Sequence, residues 1–352
     1  MFVDLTQFRG VLDRVAPAAG NTGVTANVLL VATDGTLTAT CTDYDVSATA
    51  SCPCDGDLSA LVPVAALAKV VRAMPGPRLE LTAGNGAQLH VGVGRSRMML
   101  CGFDADQFPE VEWPSGDGAA VDSGALDLAL TTVATAVGQD DSRPALCGVL
   151  FERDGERLRL VTTDGHRLHT TTTPVALPSS WTPAILHRRA LAVLRSVLDG
   201  GATVEIAAVG RDLVFRCGGA MVKARQIEAN FPDYNKVIPA RSDKTCTLPV
   251  AATLEALARA TVFAKGEAIV RLTFGDTLEF DCKTLDVGDG HDEVPIDAWT
   301  GDVGTVSLSP RYLADALRAC GGSDVDFGWG DAVSPCTVRG AQTVCVLMPC
   351  RI

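Results

Sequence analysis

The sequence contains no long hydrophobic run and no leader-like start, and each absence excludes a class of protein. No stretch of about 18 apolar residues is free of charged and turn residues, which excludes an ordinary membrane-spanning helix. The N-terminal stretch MFVDLTQFRG lacks the basic and then apolar layout of a signal peptide. We therefore expect a soluble, cytoplasmic protein.

The sequence also lacks an excess of basic residues. Its 30 Lys and Arg residues are outnumbered by 42 Asp and Glu residues, which gives a formal net charge of −12 at pH 7. This balance argues against a protein that wraps DNA by bulk electrostatic attraction. The distribution of the positive charges therefore matters more than their number.

Zinc-ligand spacing is absent as well, although the chain has 12 cysteines. The close pair Cys52 and Cys54, in SCPCDG, has no second pair at zinc-ligand spacing, which favours a structural turn over a metal site. We therefore expect no metal and no cofactor. Most other cysteines stand alone in predicted strands and fit small buried residues that stay reduced, as at Cys41, Cys101, Cys217, Cys282 and Cys345.

What the chain does contain is an internal repeat. In each third, a strand–turn–strand segment with a central glycine precedes an amphipathic helix and further alternating strands. The segments and their helices are 33–50 with 62–75, 153–175 with 188–201, and 274–296 with 309–322.

The repeat predicts an α+β fold of three tandem modules. Each module has roughly 115 residues, a length that can support its own core. Turn residues cluster in WPSGDG at 113–118 and in IPARSDK at 238–244, which we interpret as linkers. The predicted modules are 1–116, 117–241 and 242–352.

One helix in each module carries paired basic residues on the face opposite its apolar stripe. A solvated face would explain such a pair in a single helix, but its recurrence in three modules favours a surface that follows a phosphate backbone. Acidic residues fall largely in loops and turns. The basic pairs are Lys69 with Arg72, Arg188 with Arg195, and Arg311 with Arg318.

Several longer motifs follow one another along the chain. GRSRMML and FDADQFPEV lie in the first third, RPALCGVLFE, LVTTDGHRL and FPDYNKVIP come next, and the chain ends with VLMPCRI. In order and spacing they resemble the bacterial DNA polymerase III beta subunit, or beta sliding clamp, family. The resemblance runs along the whole chain.

The resemblance implies a ring. Chains of this family have three modules, each with two helices packed on antiparallel sheets, and two chains join head to tail into a ring of six modules. A heterologous contact of this kind must close on itself or form fibres. Met98 and Leu100 of one chain would then face Val262 and Phe263 of the other, and all four are apolar, as an interface core requires.

The ring also explains how a protein with an acidic net charge can stay on double-stranded DNA, because enclosure rather than affinity would hold it there. Mild basic helix faces then suffice, and no element that reads base sequence is required. We expect contact that is independent of sequence and weakened by salt. The candidate DNA-proximal residues are Arg9, Arg14, Lys69, Arg72, Arg188, Arg195, Arg311 and Arg318.

The family further implies a hydrophobic pocket between modules two and three. It would capture short peptides of the replicative polymerase's catalytic subunit, the clamp loader and repair proteins, with apolar walls for leucine or phenylalanine anchors and basic side chains for polar atoms. Cys350 stands where a larger methionine is common, and Lys236 replaces a usual arginine. The implied pocket residues are Leu146, Thr163, Gly165, His166, Arg167, Leu168, Pro232, Lys236, Val237, Tyr312, Val333, Val346, Leu347, Met348, Pro349, Cys350 and Arg351.

Two alternatives stay open at this point. TDGHRL could belong to a hydrolase, with His166 as a general base oriented by Asp164 and with Ser142 or a cysteine as nucleophile. However, the sequence has no nucleophile elbow, no phosphate-binding glycine loop and no histidine pair at metal spacing, so we expect no catalytic residue and no enzyme activity. The other alternative is a divergent clamp-like interaction module or a secondary clamp.

Overall fold

The computed structural model describes residues 1–198, 202–266, 268–284 and 287–351. Over these residues the chain forms helices packed on antiparallel sheets. The helices are α1 Leu5–Val15, α2 Val64–Ala73, α3 Ser123–Ala134, α4 Arg188–Val197, α5 Val250–Ala260 and α6 Pro310–Cys320. The strands are β1 Phe2–Asp4, β2 Asn27–Thr33, β3 Thr36–Thr42, β4 Val46–Asp55, β5 Leu58–Pro63, β6 Arg78–Ala83, β7 Gln88–Val93, β8 Ser96–Cys101, β9 Ala119–Asp122, β10 Gly148–Asp154, β11 Arg157–Thr163, β12 Arg167–Pro174, β13 Ala184–His187, β14 Thr203–Val209, β15 Asp212–Cys217, β16 Ala220–Arg225, β17 Lys244–Pro249, β18 Val270–Phe274, β19 Thr277–Thr284, β20 Gly288–Pro295, β21 Asp297–Thr300, β22 Gly304–Leu308, β23 Asp324–Trp329, β24 Cys336–Arg339 and β25 Thr343–Leu347.

The chain folds into two compact units. The first unit comprises Met1–Asp127 with Val175–Ile227, and the second comprises Leu128–Pro174 with the chain from Glu228 onward. Each unit therefore takes part of the middle third of the sequence. The module boundaries at 116/117 and 241/242 stay predictions.

The first unit is built on one antiparallel sheet. Its strands run in the order β8-β7-β6-β1-β4-β16-β15-β14-β9, and β3, β2 and β5 extend from β4. Helix α1 begins after Asp4, whose side chain accepts a hydrogen bond from the N–H of Gln7, and it contacts both α2 and α4. Because Leu5, Phe8 and Leu12 recur at helical spacing, α1 buries one apolar face.

The second unit contains two sheets. In the larger one the order is β10-β11-β12-β25-β24-β23-β17-β21, and the smaller one runs β20-β19-β18-β22. Helix α5 packs on β20 and β19, and α6 packs on β25. Four aromatic residues fill the core: the Phe274 ring lies 3.8 Å from Trp329, 5.2 Å from Phe327 and 6.0 Å from Trp299, between centroids.

The helix and strand predictions of the repeat are confirmed. The strand–turn–strand segments correspond to β3–β4, β11–β12 and β19–β20, and the helices predicted at 62–75, 188–201 and 309–322 are α2, α4 and α6. Helices α2 and α6 are shorter than predicted at both ends, and the predicted residues 199–201 of the second helix lie outside the described residues. The predicted α+β class with antiparallel sheets is also confirmed.

Two predictions about cysteines are wrong. Cys52 and Cys54 do not form a turn; both are buried residues of β4, where they alternate with outward-facing neighbours, and the turn follows at Gly56 with φ +91°. Cys101 is exposed at the end of β8, whereas Cys41, Cys217, Cys282 and Cys345 are buried as expected.

Across the described ranges, no helix is long and apolar enough to cross a membrane. Within the same residues, no three His, Cys, Asp or Glu side chains come together as a metal-binding group.

Candidate functional site

The second unit contains an apolar cavity of about 270 Å³, which we call the partner pocket. It is bounded by β12, the end of β25, and the connecting segment that precedes β17. The lining residues are Leu146, Thr163, Gly165, His166, Arg167, Leu168, Pro232, Asp233, Tyr234, Val237, Val346 and Met348.

The floor of the partner pocket comes from two strands that are far apart in sequence. β12 and β25 are antiparallel neighbours, with Leu168 opposite Val346 in register. Because side chains alternate across a sheet, these two residues share a face, and Leu347 points to the other face. Leu347 is accordingly buried in the hydrophobic core of the second unit.

The turn 163–167 shapes one rim of the partner pocket. Asp164 Oδ1 accepts the N–H groups of His166 at 2.9 Å and of Arg167 at 3.0 Å. Thr163 Oγ1 accepts the N–H of Gly165 and donates to the carbonyl of Arg167. Gly165 has φ +94°, a conformation in which a residue with a side chain would be strained. The acid and the glycine thus build a turn.

The guanidinium of Arg167 is buried, with 2% of its side chain exposed. It pairs with Asp164 at 3.0 Å and with Asp315 at 2.7 Å, and it also donates to the carbonyl of Thr135. Its Cζ atom lies 4.2 Å from the ring centroid of Tyr312. Three of its five N–H donors are therefore engaged within the protein, and with 2% of the side chain exposed this geometry does not favour Arg167 as a residue that holds peptide atoms.

The arrangement does not assemble the hydrolase considered from the sequence. Both carboxylate oxygens of Asp164 are engaged by the turn backbone and by Arg167 rather than by the His166 ring. Ser142 donates its hydroxyl proton to Asp140 at 2.6 Å. A base oriented by a carboxylate and aimed at a nucleophile is the minimum for that chemistry.

Most of the pocket residues that the family resemblance implied line the cavity, and the remaining ones do not. Tyr312 stacks on Arg167, and Lys236 is exposed and pairs with Asp233 at 3.2 Å. The N–H of Cys350 donates to the carbonyl of Ser307. Val333 and Arg351 are exposed, Pro349 is partly buried, and Leu347 is in the core.

Sequence reasoning missed Asp233 and Tyr234. Tyr234 is buried and forms a wall of the partner pocket; its hydroxyl donates to Glu152 and accepts from Arg159 at 3.2 Å. Burial raises the pKa of the Tyr234 hydroxyl. The signal was available, because this tyrosine stands between Pro232 and Lys236, both of which the family resemblance had assigned to the pocket.

His169 lies one residue beyond Leu168 on β12 and is fully buried. Its Nδ1 atom lies 3.2 Å from the carbonyl oxygen of Thr132. Burial lowers the pKa of His169 to about 4, because the charged ring would lose its hydration. His169 is therefore a neutral core residue on the face opposite the partner pocket.

The candidate DNA-proximal residues fall into two groups. Arg9 and Arg14 are partly buried and donate to backbone carbonyls: Arg9 to Val71, Arg72 and Met74 at the end of α2, and Arg14 to Gly218. Arg9 thus satisfies carbonyls that the end of a helix leaves unpaired. The candidate residues of α2, α4 and α6 are mainly exposed; only Arg188 is partly buried. Several of them form surface ion pairs: Arg72 with Asp13 at 2.7 Å, Arg195 with Asp127 at 2.6 Å and Arg318 with Asp315 at 3.9 Å.

The four candidate interface residues lie at sheet edges or beside them. Met98 and Leu100 are on β8, the first strand of the large sheet of the first unit. Val262 and Phe263 follow α5, which packs on the edge strand β20 of the second unit. Met98 is 47% exposed, Val262 68% and Phe263 42%, whereas Leu100 is partly buried.

Comparison with known proteins identifies the class. Family models of the DNA polymerase III beta subunit match the chain in order: the N-terminal domain at residues 11–112, the central domain at 120–233 and the C-terminal domain at 235–351. The beta sliding clamp of Caulobacter vibrioides is 28% identical over 352 residues, covering 94% of this chain and 92% of the relative.

Solved structures of similar proteins lead to the same class. The crystal structure of the DNA polymerase III subunit beta from Pseudomonas aeruginosa matches with a TM-score of 0.93 and 25% identity, covering 100% of both chains. A sliding clamp from Bartonella birtlesii, bound to griselimycin, matches with the same TM-score and identity, covering 100% of this chain and 99% of that one.

The fold and the matches define a three-domain clamp. The chain belongs to the bacterial DNA polymerase III beta subunit family, the beta sliding clamps. Its function is that of a processivity clamp in DNA replication. The family forms rings and is non-catalytic.

Proposed function

We propose that the partner pocket binds short peptides of the replicative polymerase's catalytic subunit, the clamp loader and other replication and repair proteins. The observation that carries this proposal is the apolar cavity itself, which opens beside the exposed side chains of Val237 and Met348. Leu146, Leu168 and Val346 offer apolar walls that suit leucine or phenylalanine anchors. The solved Bartonella birtlesii clamp, which is bound to griselimycin, indicates that a similar protein takes a ligand.

The same proposal assigns no catalytic residue to the chain. The protein acts in the cytoplasm by holding other proteins on DNA, and the proteins that it binds perform the chemistry. The engagement of Asp164 by its own turn supports this assignment, because it leaves His166 without the orienting carboxylate that a general base uses.

The proposal extends to a head-to-tail homodimer that encircles double-stranded DNA. The edge strand β8 carries Arg97 and exposed Met98, while the edge strand β20 carries Asp289, Asp292 and Glu293. Opposite charges around an apolar centre are what a specific contact between two copies requires. Unpaired strand edges also favour strand-to-strand pairing.

The exposed basic residues of α2, α4 and α6 would approach the phosphates from inside the ring. Several are paired with carboxylates, so each adds little net attraction. Weak contact of this kind suits a ring that must slide. Arg9 and Arg14, which bind backbone carbonyls, would contribute less than the helix residues.

Charged substitutions in the partner pocket test the proposal. Val237→Asp and Met348→Glu place a carboxylate against an apolar wall at positions exposed enough to leave folding intact, so each should weaken binding of a labelled polymerase-derived peptide about 30-fold. Fluorescence polarisation measures this affinity. Val303→Asp, at an exposed valine outside the pocket, is the matched control and should bind within twofold of the unaltered protein. Unchanged affinity in both pocket variants would refute the assignment.

A further inference from the structure

A second cavity, of about 360 Å³, lies beside the partner pocket in the same unit. Its lining is richer in polar side chains than that of the partner pocket, with two arginines, two threonines, an asparagine and a glutamine. We call it the polar cavity. Its lining residues are Arg159, Thr170, Thr172, Tyr234, Asn235, Ile238, Pro239, Ala240, Arg339, Gln342 and Val344.

The two cavities are adjacent along the same pair of strands. Leu168 and Val346, opposite each other in register, line the partner pocket, and the next pair on the same face, Thr170 and Val344, lines the polar cavity. Two residues of a strand span about 6.6 Å. Tyr234 lines both cavities and separates them.

Arg159 and Arg339 line the polar cavity, and Arg157, just outside the lining, hydrogen-bonds to the lining residues Thr172 and Gln342. Arg339 Nη2 donates to the carbonyl of Pro239 at 2.9 Å, and Arg157 donates to Thr172 Oγ1 at 2.9 Å and to Gln342 Oε1 at 2.6 Å. Among the residues described, neither arginine is paired with a carboxylate. The third arginine of this region, Arg159, is paired with Asp154 at 2.5 Å.

A buried hydroxyl group adds an independent indication of a ligand. Thr170 is 8% exposed, and its Oγ1 atom is fully buried with no hydrogen-bond partner among the described residues. Buried polar atoms in folded proteins nearly always have a partner. A ligand oxygen in the polar cavity would supply one if the Thr170 side chain turned towards it, since the atom is closed to solvent in the free protein.

We propose that the polar cavity binds a carboxylate carried by the same peptide that fills the partner pocket. The carboxylate belongs to an aspartate or glutamate two or three residues from the apolar anchor, since that length of extended peptide covers the spacing of the two cavities. Arg339 has five N–H donors, of which one is on Pro239, and it provides the counter-charge. On binding, the Thr170 side chain turns towards the cavity and donates its hydroxyl proton. This inference rests on the proposed function of the partner pocket.

Paired peptides test the inference. A fluorescein-labelled Leu-Phe peptide is made with glutamate two residues before or two residues after the Leu-Phe pair, and each has a twin with glutamine instead. One of the two glutamate peptides should bind the unaltered protein about fivefold tighter than its twin, the gain typical of a charge-assisted hydrogen bond at a partly exposed site. In Arg339→Gln this gain should fall below about twofold, and in the control Arg153→Gln, an exposed arginine of β10, it should persist.

The possible outcomes distinguish failure of the carboxylate site from failure of the proposed peptide binding in the partner pocket. Binding of the glutamine peptide to Arg339→Gln shows that the variant is folded. If neither glutamate peptide gains affinity, or if Arg153→Gln loses the gain as Arg339→Gln does, the carboxylate site is refuted while the partner pocket stands. If the glutamine peptide fails to bind the unaltered protein, both ideas are overturned. Free glutarate should abolish the gain without displacing the glutamine peptide; equal displacement of both peptides would contradict a separate carboxylate site.

Discussion

At the scale of single residues, Arg167 joins parts of the chain that are distant in sequence. Its guanidinium connects the turn at Asp164, the carbonyl of Thr135, and Asp315 and Tyr312 on α6. A buried guanidinium is tolerated here because its charge is matched by two carboxylates and three of its N–H donors are hydrogen-bonded. Arg167 therefore fixes the rim of the partner pocket from behind.

Arg167→Ala should destabilise the protein severely. Removing one partner of a buried ion pair leaves Asp164 without its counter-charge and Asp315 with only the longer pair to Arg318, which costs about 3 kcal/mol of unfolding free energy. Urea denaturation measures the loss. Arg259→Ala, which breaks an ion pair of a 59% exposed arginine with Asp292, is the control and should cost much less unfolding free energy. Equal losses in the two variants would contradict the structural role of Arg167.

His169 should resist protonation until the solution is strongly acidic. Its folded-state pKa of about 4 lies below the ordinary value of 6.5, so its neutral form contributes stability above pH 6.5, and this contribution is lost as the pH falls from 6.5 towards 4. An NMR titration of the ring protons measures the midpoint. His291, whose pKa is raised by its hydrogen bond to Asp281, should titrate above 6.5 in the same spectra. A midpoint near 6.5 for His169 would contradict its burial.

The sequence predicts which residues face the partner pocket only where the alternation of side chains along a strand decides their orientation. Leu168 and Val346 obey the alternation of β12 and β25, and the same alternation explains why Leu347 turns into the core. The orientation of Arg167 was not predictable, because it depends on Asp315, 148 residues away in sequence. Local patterns carry no information about such a partner.

At the scale of secondary-structure elements, the open edges of the sheets are the features that most need an explanation. β8 has one neighbour, β7, and β20 has one neighbour, β19, within the described chain. Natural sheets usually cover, charge or pair an edge. The exposed apolar residues Met98, Val262 and Phe263 lie at or next to these edges, which favours pairing with a second copy.

Replacing Val262 and Phe263 together by alanine should weaken the homodimer. Removal of an aromatic anchor and its neighbour from an interface centre typically raises the dissociation constant about 100-fold. Sedimentation velocity over a range of protein concentrations measures it. Val31→Ala, at an exposed valine of β2, serves as control and should leave dimerisation unchanged. A dissociation constant equal to that of the unaltered protein would exclude these residues from the interface.

Elements were largely predictable from sequence, but their pairing was not. Alternation and helical spacing located β11–β12 and α6. The turn predicted at Cys52 and Cys54 was wrong, because the lack of a partner pair excluded a zinc site but did not reveal the strand in which both residues are buried. The pairing of β12 with β25 joins residues about half the chain apart. Only the family resemblance, and not the periodicity, indicated that these segments meet.

At the scale of the whole molecule, a protein with a net charge of −12 is proposed to stay on DNA by enclosure. Attraction to phosphates would be mild, because the basic helices pair with carboxylates such as Asp13 and Asp127. Retention that depends on topology differs from retention that depends on affinity, since only the former requires a DNA circle.

Loading on nicked circular DNA should distinguish retention by topology from retention by affinity. The clamp loader and ATP should yield a protein–DNA complex that survives gel filtration and is released when one restriction cut linearises the circle. Salt should weaken direct contacts, and changes in base sequence should have no effect. DNA that is linear from the start is the control. Retention on cut DNA, or binding to one base sequence, would contradict encirclement.

The buried cysteines have a consequence for following the molecule in motion. Cys41, Cys246 and Cys336 are buried in strands, and burial raises the pKa of all three thiols, to about 12 for Cys246 and Cys336. Since only a solvent-accessible thiolate reacts with an alkylating reagent, each of these residues is labelled only when its own sheet opens. The protein thus contains built-in probes for the sheet of the first unit (Cys41) and for the larger sheet of the second unit (Cys246 and Cys336), and mass spectrometry could time which of the two opens first.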